Sequence, residues 1–431
     1  MAEPTPGLAA TGPVPLWRNR PFAFFWVAQM LSNAGTQVSE LAIPLTAVLV
    51  LSAGPAQMGA LTALEALPSL VLGLFLGVVV DRVRRARMMF WCNVGQGLLI
   101  GTIPVAAMLD VLTLPQLYVV TFAAGGLALA YSLAHTAYVP VLVTDLRQLP
   151  AANSSVALSD SVTAVGGPGL GGLLVQLLTA PVAVAVDAVS FLAATVLQLA
   201  GRRADPPMTM RGGFGLSLRE GLTAFVHQRG VFALTAGKGT FDFFHWGVLA
   251  LYLLYAVQDL GLSAATIGLI AMLGSLGPLV AGVITAPLSR RFGTSWTSVV
   301  AAVLLGGNLL IPLASGPDAL VIATVAIGHF LVGLGVVYII ISRATMLQRT
   351  VAPELLGRVG AVIRLIEWGA GPVGGLAGGL LGELLGLRAG LVVLGLGCLL
   401  GTPWVAVAVA RGDLGVTTDA GPAGSSNAPR L

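Results

Sequence analysis

Polar and ionisable side chains stand inside long apolar segments of this sequence, where the chemistry open to them is proton transfer or ligand binding. A charged side chain there costs about 2.5–3.5 kcal/mol on membrane-insertion scales, so these residues are expected to face an interior cavity. The ionisable members are Glu40, Glu65, Asp160, Asp187, Lys238, Asp242, His245, Arg364 and Glu367. Desolvation disfavours the charged form of a carboxylate, so a change in hydration would change its proton affinity. Glu65 and Asp187 fit either proton sites or interior hydrogen-bonding groups.

The spacing of these residues places them on helix faces. Asn33, Gln37 and Glu40 stand at i, i+4 and i+7, which is one face of a helix. The same spacing recurs 205 residues later, and two further stripes lie on other segments. The later triplet is Lys238, Asp242 and His245, and the further stripes are Tyr131, His135 and Tyr138, and Tyr338 with Ser342. The stripes predict a polar cavity in which Glu40 and Asp242 each take up and release protons, and in which the other stripe residues contact substrate. Glu40 is the main proton candidate, because no basic residue lies within one turn of it.

Each of these interpretations has a purely structural alternative. Lys238 and Asp242 are four residues apart and could form a salt bridge that only neutralises both. His135 could be a hydrogen-bonded packing residue. Arg364 and Glu367, three residues apart, are expected to form a structural pair.

The composition indicates that the whole chain lies in a membrane. Of its 431 residues, 56% are hydrophobic and 9% are charged, and the mean hydropathy is +0.92, whereas soluble domains carry about 25% charged residues. Apolar runs of about 20 residues are long enough to cross a bilayer, and continuous rather than alternating runs indicate helices. Spans are predicted near 22–50, 56–80, 88–109, 115–140, 154–178, 182–200, 231–257, 264–288, 296–314, 319–346, 358–382 and 388–410. The sequence therefore predicts an all-α membrane protein of twelve transmembrane helices in two six-helix halves.

The arginines predict the orientation of this bundle. They cluster in alternate connections, above all after the second span and in the central interval 201–230, while the other connections carry mainly aspartate. The positive-inside rule then places both termini and the central interval in the cytoplasm of a cell (inner) membrane. The predicted units are a tail at 1–21, a half at 22–200, a linker at 201–230, a half at 231–410 and a disordered tail at 411–431.

Two motifs recur with nearly the same displacement. Gly77 begins Gly-Val-Val-Val-Asp-Arg-Val-Arg-Arg at the end of the second span, and a weaker copy begins 205 residues later at Gly282. The Gly-Pro-Gly-Leu-Gly-Gly run at 167–172 has a partner 204 residues later at Gly371. The nearly equal displacement of two unrelated motifs indicates a duplicated six-helix unit, a known transporter architecture.

With these motifs the chain resembles the major facilitator superfamily over nearly its whole length. Residues 77–85 are similar to its loop 2–3 signature, and Gly167, Pro168, Gly171 and Gly172 match the GPxxGG element of drug-exporting antiporters, although Thr163 replaces a glycine of the fuller pattern. Segments 17–20, 187–191 and 353–358 resemble the enterobactin-exporter and macrolide-efflux branch. The resemblance implies alternating access around a central cavity lined by the first, fourth, seventh and tenth helices.

The loop signature is predicted to form a gate from Gly77, Asp81, Arg82 and Arg85 at the cytoplasmic rim. Gly77 has no Cβ and would let a neighbouring helix approach closely. Asp81 would be favoured by about 0.3–1 kcal/mol near the positive end of a helix that begins around Arg358. The alternative is that these residues only anchor the loop. Pro168 and its glycines could serve as a hinge or simply as packing.

The remaining signals exclude several classes of site. No strand precedes the glycine run at 167–172, and Phe232 stands where the Walker pattern requires glycine before Gly237-Lys-Gly-Thr. Cys92 and Cys398 both lie in apolar spans and indicate neither a disulfide framework nor a metal site. No cofactor, metal or nucleic acid is therefore expected, and the predicted partners are a small molecule, protons and lipid around a monomer.

Three functions remain open on the sequence. The first is a proton-coupled exporter of small amphipathic compounds such as a drug, a macrolide or a siderophore. The second is an importer of a sugar or organic acid in the same fold. The third is a non-transporting membrane receptor or scaffold, which the absence of a recognisable second domain disfavours. An enzymatic function is not expected.

Overall fold

The computed structural model describes residues 16–80, 82–143, 146–201 and 214–414. Asp81 and the greater part of both predicted tails lie outside these residues, as does the start of the predicted linker. The described chain is helical, and its α-helices follow in this order: α1 Arg20–Leu49, α2 Pro55–Val80, α3 Arg85–Met108, α4 Leu114–Leu142, α5 Leu149–Leu178, α6 Ala180–Ala200, α7 Phe214–His227, α8 Arg229–Gln258, α9 Ala264–Gly274, α10 Leu276–Phe292, α11 Thr294–Leu304, α12 Leu310–Leu313, α13 Asp318–Thr350, α14 Pro353–Leu385, α15 Leu387–Cys398 and α16 Thr402–Ala410.

Apart from α7, these helices form the twelve predicted membrane segments. Three segments are interrupted but continuous in direction: α9 with α10 over Ala264–Phe292, α11 with α12 over Thr294–Leu313, and α15 with α16 over Leu387–Ala410. In the described chain, nine segments are long and apolar enough to cross a membrane. The other three are α1, α2 and α14, with 30, 26 and 33 residues. The polar residues of α1 and the many glycines of α14 lower the hydropathy of these two helices, whereas α2 is strongly apolar. The predicted all-α, twelve-helix fold is confirmed.

The predicted linker contains a helix that the sequence analysis did not anticipate. Helix α7 covers 14 residues of the interval 201–230 and packs on the first turns of α14. Phe225 of α7 is buried in a cluster with Val359 and Ile363 of α14, and Glu220 accepts a hydrogen bond from Arg358. The connection between the halves is therefore anchored to the second half.

The connections lie on two opposite faces of the bundle. The terminal face, as we call it, carries both described chain ends and the connections at 82–84, 228, 293 and 351–352. The opposite face carries the connections at 50–54, 109–113, 179, 259–263 and 314–317.

The two halves pack together through α2 on α14 and α5 on α9. Both contacts use glycine, which lets backbones approach without a side chain between them. A Cβ atom on Gly59 would lie 2.7 Å from the Cα atom of Gly379, and one on Gly172 would lie 2.8 Å from the Cα atom of Gly268. All four residues lie in the part of their helices nearer the opposite face.

The contact between the halves ends before the terminal face. On α2 the last of these close contacts is at Gly73, where a Cβ atom would lie 2.6 Å from the Trp368 ring of α14. One turn further, the same position at Gly77 has no described atom within 4 Å, and neither do Gly357 and Gly360 of α14. In the described chain α5 packs on α9 and makes no comparable contact with α10. The bundle is therefore closed at the opposite face and open at the terminal face.

Candidate functional site

A chain of hydrogen bonds crosses the first half and includes two predicted cavity residues. Gln198 Nε2 donates to the Tyr131 hydroxyl at 2.9 Å, and this hydroxyl donates to Gln29 Oε1 at 2.8 Å. Gln29 Nε2 then donates to Asn33 Oδ1 at 2.9 Å, and Asn33 Nδ2 donates to Asp160 Oδ1 at 2.7 Å. The chain links α6, α4, α1 and α5, so it holds four helices of this half in register.

This hydrogen-bond chain borders a cavity of about 490 Å³, whose lining includes Asn33, Tyr131, His135 and Asp160. The ring of His135 stacks between those of Phe25 and Tyr131, with centroid distances of 4.9 and 6.0 Å. Its Nε2 atom is buried without a hydrogen-bond partner in the described residues. His135 therefore packs between aromatic rings, with this ring nitrogen buried beside the cavity.

A second cavity of about 350 Å³ adjoins the first and contains three carboxylates. Glu40 of α1, Glu65 of α2 and Asp187 of α6 all line it, and Thr36 and Gln96 line both cavities. Glu40 accepts a 2.8 Å hydrogen bond from Gln37 Nε2, and both glutamates are exposed to the cavity. The sequence identified all three acids but could not show that they share one space, because they belong to three helices.

Asp187 is the most deeply buried of these acids, with 0% exposure. Its Oδ1 atom accepts a 3.3 Å hydrogen bond from Ser190, and its Oδ2 atom has no hydrogen-bond partner in the described chain. A Cβ atom on Gly35 would lie 2.5 Å from Oδ1, so the glycine provides the space in which Asp187 meets α1. A buried carboxyl group with an unpartnered oxygen is costly unless it is protonated or meets a ligand.

The charge balance of the two cavities is one-sided. Four acids line them, Glu40, Glu65, Asp160 and Asp187, whereas their described lining contains neither lysine nor arginine. The second half is different, because its buried acids are paired with bases. Lys238 Nζ lies 2.7 Å from Asp242 Oδ2 and 3.5 Å from Glu367 Oε1, and Arg343 donates to the same Glu367 atom at 2.6 Å.

The predicted pair of Arg364 with Glu367 is wrong. Arg364 is exposed, while Glu367 turns toward Lys238 on α8 and Arg343 on α13. A buried carboxylate requires a close cation, and two bases of neighbouring helices supply it. Arg343 was missed because nothing along α13 marks it as a partner of a residue on α14. The predicted i,i+4 contact of Lys238 with Asp242 is present, as part of this larger network.

Several predicted cavity residues lie in packed positions in this conformation. His245 Nδ1 lies 2.9 Å from Asn308 Nδ2, and its ring stacks on Phe241. The hydroxyl of Tyr338 contacts Ser289 and Thr297 on α10 and α11. Tyr338 is 1% exposed and therefore does not line the cavity as expected. Helix α13 turns its ring away from the space between the two halves and toward α10 and α11.

Two further stripe residues are also packed. Tyr138 is buried with its ring 6.0 Å from that of Phe25, edge to face. Ser342 is buried on α13, next in sequence to Arg343. The stripe on α1, together with Tyr131 and His135 of α4, thus lines the cavities of the first half. Tyr138 and the stripe on α13 lie in the protein core.

The GPxxGG element lies where three helices meet. A Cβ atom on Gly167 would lie 2.4 Å from the Gln37 side chain of α1. One on Gly171 would lie 3.1 Å from the Val38 Cα atom of the same helix. Gly172 faces the other half and α9, and the Pro168 carbonyl oxygen lies close to Gly268. The element therefore brings α5 against both the acid-lined helix of its own half and the partner half.

The predicted gate is only partly described. Asp81 lies outside the described residues, Arg82 is exposed, and Arg85 is buried at the start of α3. No described atom comes within 4 Å of a Cβ position at Gly77, so the close helix approach expected there is absent from this conformation.

The comparisons with known proteins agree on the fold. The family model described as "Transmembrane secretion effector" matches residues 11–417. No curated protein matches the sequence. Among solved structures, a bacterial homologue of the iron transporter ferroportin in an inward-facing state is similar, with a TM-score of 0.69 and 19% identity over 91% of this chain and 98% of that one.

Two other solved structures show the same architecture. A bacterial homologue of the human lysosomal transporter Spinster, inward-facing and unoccupied, has a TM-score of 0.65 and 15% identity over 94% of this chain and 97% of that one. The nucleoside transporter NupG has a TM-score of 0.70 and 11% identity over 91% of this chain and 98% of that one. At these identities the likeness concerns the fold alone, and all of these proteins are transporters rather than enzymes.

Proposed function

We propose a function from the premise that this chain belongs to the transmembrane secretion effector family of major facilitator superfamily transporters. The proposed function is proton-coupled export of small amphipathic compounds. Transport and a multi-pass membrane location follow from the family itself. Export, proton coupling, a monomeric state and a cell (inner) membrane location with cytoplasmic termini are the proposal. A drug, a macrolide or a siderophore is the expected kind of substrate.

The observation that carries proton coupling is the contrast between the two halves. Glu40, Glu65 and Asp187 share one cavity whose described lining has no base, whereas Asp242 and Glu367 are neutralised by Lys238 and Arg343. Acids in a cavity without cations can be neutralised only by protons or by a ligand, and crowding of like charges strengthens that tendency. The first half therefore stores protons, and the second half provides a neutral, rigid counterpart.

Within this cavity Glu40 is the proposed proton carrier. It lies on α1, it is exposed to the cavity, and Gln37 orients one of its oxygens. Movement of the halves would change the hydration around Glu40 and so its proton affinity. Release of a proton would accompany one orientation of the carrier and uptake the other, which is the linkage that antiport requires.

The open terminal face supports loading from the cytoplasm. If the arginine-rich face is cytoplasmic, the conformation described here is open inward, and the acid-lined cavities would receive a substrate from the cell. An acidic cavity attracts cations and repels anions, so amphipathic compounds with a basic amine should be preferred. This charge disfavours the alternative function, import of an organic acid, and among the expected substrates it favours basic drugs and macrolides over acidic siderophores.

Proton flux in proteoliposomes tests the proposal. Liposomes with the purified protein and an internal pH-sensitive dye are given a panel of macrolides, siderophores and basic drugs. The expected result is a proton movement opposite to the substrate, absent from empty liposomes. Transport of a substrate with no accompanying proton movement would refute proton coupling, and proton movement in the same direction as the substrate would favour an importer.

A further inference from the structure

A groove on the terminal face, away from the acid-lined cavities, has the features of a ligand site. It encloses about 610 Å³ between the start of α8, the end of α7 and α16. Its lip carries Arg229, Arg411 and Asp413, and its wall is formed mainly by Phe232, Trp404 and Val407. Transport as proposed above uses none of these residues.

The position of the groove sets the depth at which a ligand would lie. Arg229 is the first residue of α8, and Arg411 directly follows the last residue of α16. Both arginines therefore stand where the membrane segments end, at the level of lipid head groups. Both are exposed, and neither takes part in a salt bridge within the part of the chain that the structure describes.

The wall below the arginines is apolar and open. The rings of Phe232 and Trp404 meet edge to face with centroids 6.0 Å apart. On α16, beside the groove, Trp404 is 46% exposed and Val407 is 48% exposed. Aromatic side chains at the membrane interface commonly contact the junction between head group and acyl chain.

From this combination we infer that the groove binds an anionic phospholipid. The two arginines pair with the phosphodiester, and the wall of Phe232, Trp404 and Val407 holds the upper part of one acyl chain. Asp413 reduces the charge of the lip to about +1, which suits a singly charged head group with hydroxyl donors, such as phosphatidylglycerol. Basic pockets at the ends of membrane helices are a recognised setting for such lipids. A free phosphate would use the lip alone and leave the apolar wall uncovered.

Lipid titration of the purified full-length protein, followed by native mass spectrometry, tests this inference. Phosphatidylglycerol should bind with a defined stoichiometry and more tightly than phosphatidylcholine or phosphatidylethanolamine with the same acyl chains. Removing both arginines, in Arg229→Ala/Arg411→Ala, should weaken phosphatidylglycerol binding about 25-fold, since each interfacial arginine contributes about a factor of five. Arg229→Lys/Arg411→Lys should retain most of the binding, because it keeps the charge.

Matched controls separate a site from general surface charge. Arg290→Ala/Arg291→Ala removes the same charge from the same face at the end of α10 and should leave phosphatidylglycerol affinity unchanged. Trp404→Ala should weaken binding, whereas Trp296→Ala, at another exposed tryptophan near the terminal face, should not.

Three outcomes would overturn the inference. They are equal affinity for all three lipids, an equal loss in the two arginine-to-alanine double variants, and displacement of the lipid by millimolar inorganic phosphate. The last result would identify a small-anion site in place of a lipid site.

Discussion

Replacement of Gly172 by alanine should shift the protein away from the conformation described here. A Cβ atom at this position would lie 2.4 Å from the Ala264 carbonyl oxygen and 2.8 Å from the Gly268 Cα atom. Ordinary contacts begin at 3.4 Å, so α5 and α9 would have to separate by roughly 1 Å. Both neighbours are backbone atoms and cannot rotate away.

The size of the effect follows from the cost of overpacking. Overpacking of this kind costs about 1–3 kcal/mol, which corresponds to a change of roughly 5- to 150-fold in a conformational equilibrium. The contact exists only while the opposite face is closed, so the cost falls on that state. The population with the opposite face open should therefore increase by this factor.

Spin-label distances across the opposite face measure this population. Labels on cysteines at Val111 and Leu313, both exposed, report the separation of the two halves in a Cys92→Ser/Cys398→Ser background. Gly172→Ala should enlarge the long-distance population. The control is Gly166→Ala on the same helix, where no described atom lies within 4 Å of the new Cβ atom. If both variants give the native distance distribution, the closed contact of α5 with α9 does not determine the conformational balance.

Two further predictions concern the charge network and the orientation. Arg343→Met should lower the free energy of unfolding by about 1–3 kcal/mol, because it removes the nearest cation from Glu367 while Lys238 remains 3.5 Å away. Arg343→Met/Glu367→Met should recover most of this loss in thermal unfolding, and an additive loss would show that the pair is not coupled. Cysteines introduced at Asp110 and Asp318 should react with an impermeant reagent from outside intact cells, and labelling of the 201–230 interval from that side would contradict the proposed orientation.

Local geometry explains which parts of the molecule the sequence could predict. The spans were predictable because bilayer thickness sets their length, and the Lys238–Asp242 contact because a helix places i and i+4 on one face. The hydrogen bond of Asn33 with Asp160 joins residues 127 positions apart and depends on how α1 and α5 pack. The partners of Glu367 were misassigned for the same reason.

The rotation of a helix about its axis was the other quantity that sequence spacing left open. Tyr338 and Ser342 share a face of α13, but two residues do not determine whether that face meets the cavity or the core. Helix α7 was missed because it is short and amphipathic and is stabilised by packing on α14 rather than by membrane burial.

The central claim is that the unpaired acids of the first half, and Glu40 foremost, couple transport to protons. Its most direct test compares Glu40→Gln with Asp242→Asn in everted vesicles, with uphill transport driven by a pH gradient and downhill substrate exchange measured in the same preparation. Glutamine keeps the shape and hydrogen bonding of Glu40 but cannot carry the proton. The account predicts that Glu40→Gln abolishes uphill transport and preserves exchange, while Asp242→Asn retains proton-driven transport. Native uphill transport by Glu40→Gln, together with its loss in Asp242→Asn, would contradict the account and assign coupling to α8.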